Sequence, residues 1–120
     1  MNLDNNPSWA LPPDMAELVA EGAGEVIRDI LLMFLENTEL SFQQVAAAIE
    51  SNAAPLVQRL GHGLKGGCAQ VGALPLSRIA AGWEAPGATP EEWRRLYARF
   101  RDEFARVRSL VLAHPVMAGA

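Results

Sequence analysis

Little in this sequence can be crosslinked, inserted into a bilayer or paired into a sheet. One cysteine among 120 residues, Cys68, allows no internal disulfide, and its apolar neighbours mark it as a small buried hydrophobe of a reducing compartment rather than a reactive thiol. The apolar runs are too short and too interrupted to span a membrane, and the opening Met1-Asn-Leu-Asp-Asn-Asn6 lacks the basic-then-apolar order of an export signal. A cytoplasmic protein with no membrane partner is expected. No stretch alternates polar and apolar residues over a useful length, which argues against strands. No Gly-x-x-x-x-Gly-Lys-[Ser/Thr] loop is present, so neither an ATP site nor autonomous kinase activity is expected. The two histidines, His62 and His114, stand apart from the paired Glu and Glu-x-x-His sets by which helical bundles hold metals, so no metal or other cofactor of its own is expected.

Charge is also missing in places. The net charge of −4 argues against a general nucleic-acid binder. Residues 1–50 hold nine of the fourteen acids and a single base, Arg28. Between Glu50 and Glu84 there is no acid, only Arg59, Lys65 and Arg78, so that segment is locally positive and suits an anionic ligand. Lys65 is the only lysine. Near the C-terminus, Arg94, Arg95, Arg99, Arg101, Arg106 and Arg108 interleave with Glu91, Glu92, Asp102 and Glu103, the pattern of a solvated helix face.

What remains is helical. Asp14 is expected to cap a short first helix that ends at Gly22-Ala-Gly24, with residues 1–13 a flexible tail. From Glu25 to Ser51, Ile27, Ile30, Leu31, Phe34, Thr38, Ser41, Phe42, Val45, Ala48 and Ile49 hold a 3.6-residue period, which predicts one long helix, a break near Asn37 being the alternative. Asn52 can cap the next helix, with Pro55 in its first turn, and Pro75 opens a short helix through Trp83. Thr89, Pro90 and Glu92 form a capping box for a last helix with Trp93, Leu96 or Tyr97, Phe100, Phe104, Val107 and Leu110 or Val111 inside, ending near His114-Pro115. Short loops between four helices predict an all-α antiparallel four-helix bundle over residues 14–114, with the first helix as a cap and 115–120 as a tail.

Within the third of these helices, Ala53, Leu56, Val57, Leu60, Leu64, Cys68 and Val71 share one arc, and His62 points away from it. Its outward neighbours are Gln58, Lys65, Gly66 and Ala69, which surround an exposed imidazole with one cation and little steric cover. Such an imidazole is nucleophilic near pH 7 without a buried base. Four glycines, Gly61, Gly63, Gly66 and Gly67, lie within this helix although each costs roughly 0.5–1 kcal/mol relative to alanine. Gly63 and Gly67 point inward, where close approach of a neighbouring helix is expected; Gly66 leaves clearance one turn beyond His62; Gly61 has no explanation in the sequence.

The run His62-Gly-Leu64-Lys65-Gly66, followed by Gly72-Ala73 and then by Leu76, Ile79, Ala80, Trp83 and Glu84, resembles the histidine-containing phosphotransfer (HPt) family, as does Phe34-Leu-Glu-Asn-Thr38 upstream. The likeness covers about residues 24–84; Gly61, Gly63, Gly67 and Cys68 depart from the usual residues. It implies a carrier that relays a phosphoryl group between receiver-domain aspartates of a two-component phosphorelay, with His62 as phosphoacceptor and Lys65 offsetting phosphate charge. Gly66 and Gly72 would serve access and packing. Gln58 or Gln70 could hydrogen-bond the ring or the phosphate. The partners implied are receiver domains of response regulators or hybrid histidine kinases, which would supply the divalent metal, and the chain is expected to be a monomer. A module that docks on a receiver without being phosphorylated is the alternative. Val26, Met33 and Leu40 recur at heptad spacing beside the main apolar stripe of the long helix. Either the first helix covers them through Met15, Leu18 and Val19, or they form an exposed patch of the kind that marks a partner site. Because the family's receivers dock on apolar surface beside the histidine, Met33 or Leu40, with Ala69, is expected at that interface.

Overall fold

The computed structural model describes residues 7–119; the expected tail residues 1–6 and Ala120 lie outside them. Among the described residues five α-helices follow in order: α1 (Pro13–Leu18), α2 (Gly24–Glu50), α3 (Ala54–Gln70), α4 (Leu74–Glu84) and α5 (Pro90–Ala113). Proline stands in the first turn of α1, α3, α4 and α5, where its missing N–H is needed by no helical partner. Helices α2 to α5 form an antiparallel bundle, and α1 is set off from α2 by a kink at Gly22, whose φ of +100° breaks the helical path.

The period of α2 holds through Asn37 without a break. Its buried side is Ile27, Leu31, Phe34, Leu35, Thr38, Phe42, Val45, Ala48 and Ile49; Ile30, expected inside, is exposed, and Leu35 takes a place in the core. Phe42 stacks on Phe100 and Tyr97 of α5, and Phe100 meets Trp83 of α4, so one aromatic cluster joins three helices. The expected capping box of α5 is present, with Thr89 Oγ1 accepting from Glu92 N–H at 3.2 Å and Glu92 Oε1 accepting from Thr89 N–H at 2.8 Å. The Thr89 backbone N–H, and then the Thr89 hydroxyl, which donates to the same Glu92 Oε1 at 3.1 Å, hold the Glu92 carboxyl below its ordinary value.

Both turns flanking α3 have the same geometry. Ala53 N–H donates to Ala48 O and Asn52 N–H to Ile49 O; Ala73 N–H donates to Cys68 O and Gly72 N–H to Ala69 O. This is the left-handed C-terminal cap in which the residue past the helix end takes positive φ, here Asn52 at +56° and Gly72 at +86°. Asn52 therefore finishes α2 rather than capping α3, whose N-cap is Ala53 without a side-chain bond. Likewise Asp14 lies inside α1, one residue after its proline start, and does not cap it.

The ends depart from the expected loose tails. Trp9 is 5% exposed, its Nε1–H donates to Val71 O at 2.7 Å, and His114 meets its ring edge-on. Burying an indole and satisfying its N–H fixes the N-terminal arm against the α3–α4 turn. At the other end Val116 is buried within a 3₁₀ turn, Pro115–Gly119, and its N–H donates to His114 Nδ1. Glu103, expected on the solvated face of α5, is buried, with Oε1 accepting two bonds from Arg106. Among the described residues no helix is long and apolar enough to cross a membrane.

Candidate functional site

The core side of α3 is Val57, Gly61, Leu64 and Cys68, a stripe at spacings of four, three and four residues. Leu56, expected on that arc, is exposed. Cys68 is fully covered, and burial pushes its thiol up to about 12, so it behaves as a hydrophobe.

Gly61 acquires its reason here. A Cβ at residue 61 would lie 2.7 Å from Trp83 Cβ and 3.0 Å from Ala80 O, so α4 runs against bare α3 backbone at that point. Two further bonds fix α4: Ser77 Oγ donates to Lys65 O at 2.8 Å, and Trp83 Nε1–H donates to Trp93 O at 3.2 Å. The next residue after Trp83 is Glu84, which this packing delivers to the outward face of α3.

There, one carboxylate holds both expected site residues. Glu84 Oε2 is 2.7 Å from His62 Nδ1 and Oε1 is 2.6 Å from Lys65 Nζ. Two lone pairs at such a distance would repel, so Nδ1 carries a proton and donates it to the carboxylate, which in the neutral ring leaves the lone pair on Nε2. The His62 side chain is 71% exposed. Bonds from Lys65 first and His62 second hold the Glu84 carboxyl below its ordinary value, so it is anionic at neutral pH. The arrangement offers an oriented nucleophilic nitrogen with a cation one turn away, suited to a small anionic electrophile that arrives from solvent.

Glu84 carried no assigned role in the sequence. The signal was its place: it is the first acid after the acid-free segment, and it stands as far after the α3–α4 turn at Ala73 as His62 stands before it. In an antiparallel pair those two positions are level. Gln58 and Gln70 do not hold the ring Nδ1; Gln58 is half-buried and Gln70 is exposed.

The other side of α3 is open. Among the described residues, Gly63 and Gly67 meet nothing within 4 Å where a Cβ would stand, contrary to the expected close approach, and Gly66 is equally free. Gly63, Gly67 and Gln70 instead border a groove of about 250 Å³ whose opposite wall includes Ile30, Met33, Asn37 and Ser41 of α2. Met33 is 60% and Leu40 55% exposed, and α1 leaves Val26 exposed as well. Gly72 has two constraints, its positive φ and an approach in which a Cβ would come 2.9 Å from Ala10 O. Ala69 is exposed two turns beyond His62.

A family model described as Hpt domain matches residues 29–110. Among solved structures, the chain is similar to the crystal structure of histidine-containing phosphotransfer protein B (HptB) from Pseudomonas aeruginosa PAO1, with a TM-score of 0.73 and 23% identity over 84% of this chain and 90% of that one. No curated protein sequence matches significantly.

Proposed function

The chain belongs to the Hpt domain family and has a histidine phosphotransfer role in a two-component phosphorelay, and from that premise we propose that His62 is its phosphoacceptor. The observation that carries this assignment is the exposed imidazole held through Nδ1 by Glu84. In the transfer, the Nε2 lone pair forms an N–P bond to the aspartyl phosphate of a receiver domain, and the P–O bond to the aspartate breaks, its electron pair leaving on the carboxylate. The Nδ1 proton stays on the ring against Glu84. Lys65, one turn along α3, offsets the charge of the phosphoryl oxygens. The chain acts as a carrier without an ATP site of its own, in the cytoplasm and as a monomer. The divalent cation of the transfer belongs to the receiver.

Docking uses the face that the bundle leaves uncovered. Met33 and Leu40 of α2, with Ala69 of α3, supply apolar contact beside His62, and Gly66 leaves the approach to the ring clear. Gln70 is placed at the rim of the same groove. Incubation with phosphorylated receivers tests the assignment: acid-labile, base-stable label on the wild-type chain and none on His62→Gln is expected. An unlabelled wild-type chain that still binds receivers would show a docking module instead.

A further inference from the structure

Resting on that assignment, we infer that Glu84 is a positioning residue that keeps phospho-His62 a ready donor of its phosphoryl group rather than a store of it. Once Nε2 carries phosphorus, Nδ1 is the only ring nitrogen left to hold a proton. If it does, the N–P bond breaks to release neutral imidazole; if it does not, the electron pair must leave on an imidazolate anion, a far poorer leaving group. A carboxylate in hydrogen-bond contact with Nδ1 favours the proton-bearing ring. Glu84 is in that contact at 2.7 Å. Among the described residues the charged groups that meet at the ring are Glu84 from α4 and Lys65 from α3, so Glu84 is the one that holds the proton in place while the cation opposes it.

Its second oxygen acts in the same direction. Lys65 Nζ lies 2.6 Å from Glu84 Oε1, so the ammonium that the phosphoryl oxygens would attract is already shared with a competing anion. A carboxylate beside a phosphoryl group also repels it. Both effects raise the phosphorylated state relative to the transferred one. The side chain can do this because α4 is locked against α3 at Gly61, where no Cβ separates the helices.

Glu84→Gln separates charge from geometry, since its amide oxygen still accepts from Nδ1–H. Phosphoramidate serves as the phosphoryl source, which makes labelling independent of any receiver, and a purified receiver domain with magnesium then serves as acceptor. The glutamine variant should be labelled at His62, lose label in buffer more slowly, and transfer to the receiver about ten times more slowly at pH 7.5, the size expected for one lost charge-assisted hydrogen bond. The fall of its transfer rate with rising pH should begin at lower pH, a displacement that loosened packing alone would not produce, and Glu84→Asp should restore part of the profile. Wild-type and glutamine chains with the same lifetime, rate and pH profile would overturn the inference and leave the phosphoacceptor assignment intact. Absence of label on wild-type His62 under phosphoramidate and phosphorylated receiver alike would overturn both.

Discussion

The two flanks of α3 are built on opposite terms. Toward α4, backbone meets side chain so closely at Gly61 that a single methyl group has no room; toward α2, Gly63 and Gly67 face a groove in which a methyl group would touch nothing. His62 stands on the ridge between them. The tight flank fixes chemistry, because it brings Glu84 to the ring and holds it there. In the proposed docking the open flank serves access, because a partner would lay apolar surface against Met33 and the bare backbone of α3, which line the groove. Glycine thus serves two ends in one helix: in the first case it admits a neighbour of the same chain, in the second it leaves space for another molecule.

Breaking the tight flank should have the largest effect. Gly61→Ala sets a Cβ 2.7 Å from Trp83 Cβ, an atom fixed to its own backbone, so α4 must move away. A loss of about 1–3 kcal/mol of stability is expected from overpacking, despite the better helix propensity of alanine. Chemical denaturation measures it, and slower labelling of His62 by phosphoramidate should accompany it as Glu84 withdraws. Unchanged stability would mean that the two helices are not in contact there. On the open flank the expected effect is on the partner and not on folding. Met33→Asp, Leu40→Asp and Gly66→Leu should each remain folded by circular dichroism and weaken receiver binding about tenfold or more, roughly 1.4 kcal/mol, as loss of a central apolar contact or of clearance does. Folded variants that bind as the wild type does would put the docking surface elsewhere.

The tight flank was also the less legible of the two in the sequence. Prolines, the Thr89 capping box and the unbroken period of α2 announced the helices, and periodicity alone turned His62 outward. Periodicity reports which side of a helix is apolar, however, and not how near the next helix comes. Gly61 therefore had no explanation, while Gly63 and Gly67 were given the close contact that belongs to Gly61. Glu84 escaped for a related reason: its pairing with His62 and Lys65 depends on the register of two antiparallel helices, which appears only when the length of the turn is known. Asn52 and Asp14 are both good capping residues by type, but the former takes the left-handed position that ends α2 and the latter follows a proline that has already begun α1. Trp9 and Glu103 lay in segments whose composition reads as solvent-facing, and tertiary packing overrode it.

The smallest effect is the sharpest test of the comparison, because it asks one substitution to change sign two residues along the same helix. Gly63→Ala adds a Cβ with no atom within 4 Å, so nothing opposes the helix propensity gained. Stability should rise by roughly 0.5–1 kcal/mol, a shift of about 2–5 °C in Tm. A fall instead would show α2 lying closer to α3 than the groove implies. If the gain is real, the glycine is retained at a cost in stability, and receiver titration tells why: a stabilised chain with weaker binding would mean that the partner's surface reaches the α3 backbone at residue 63, the kind of trade between stability and activity expected at a docking face. A stabilised chain with unchanged affinity would confine contact to Met33, Leu40 and Ala69 and leave the groove floor free.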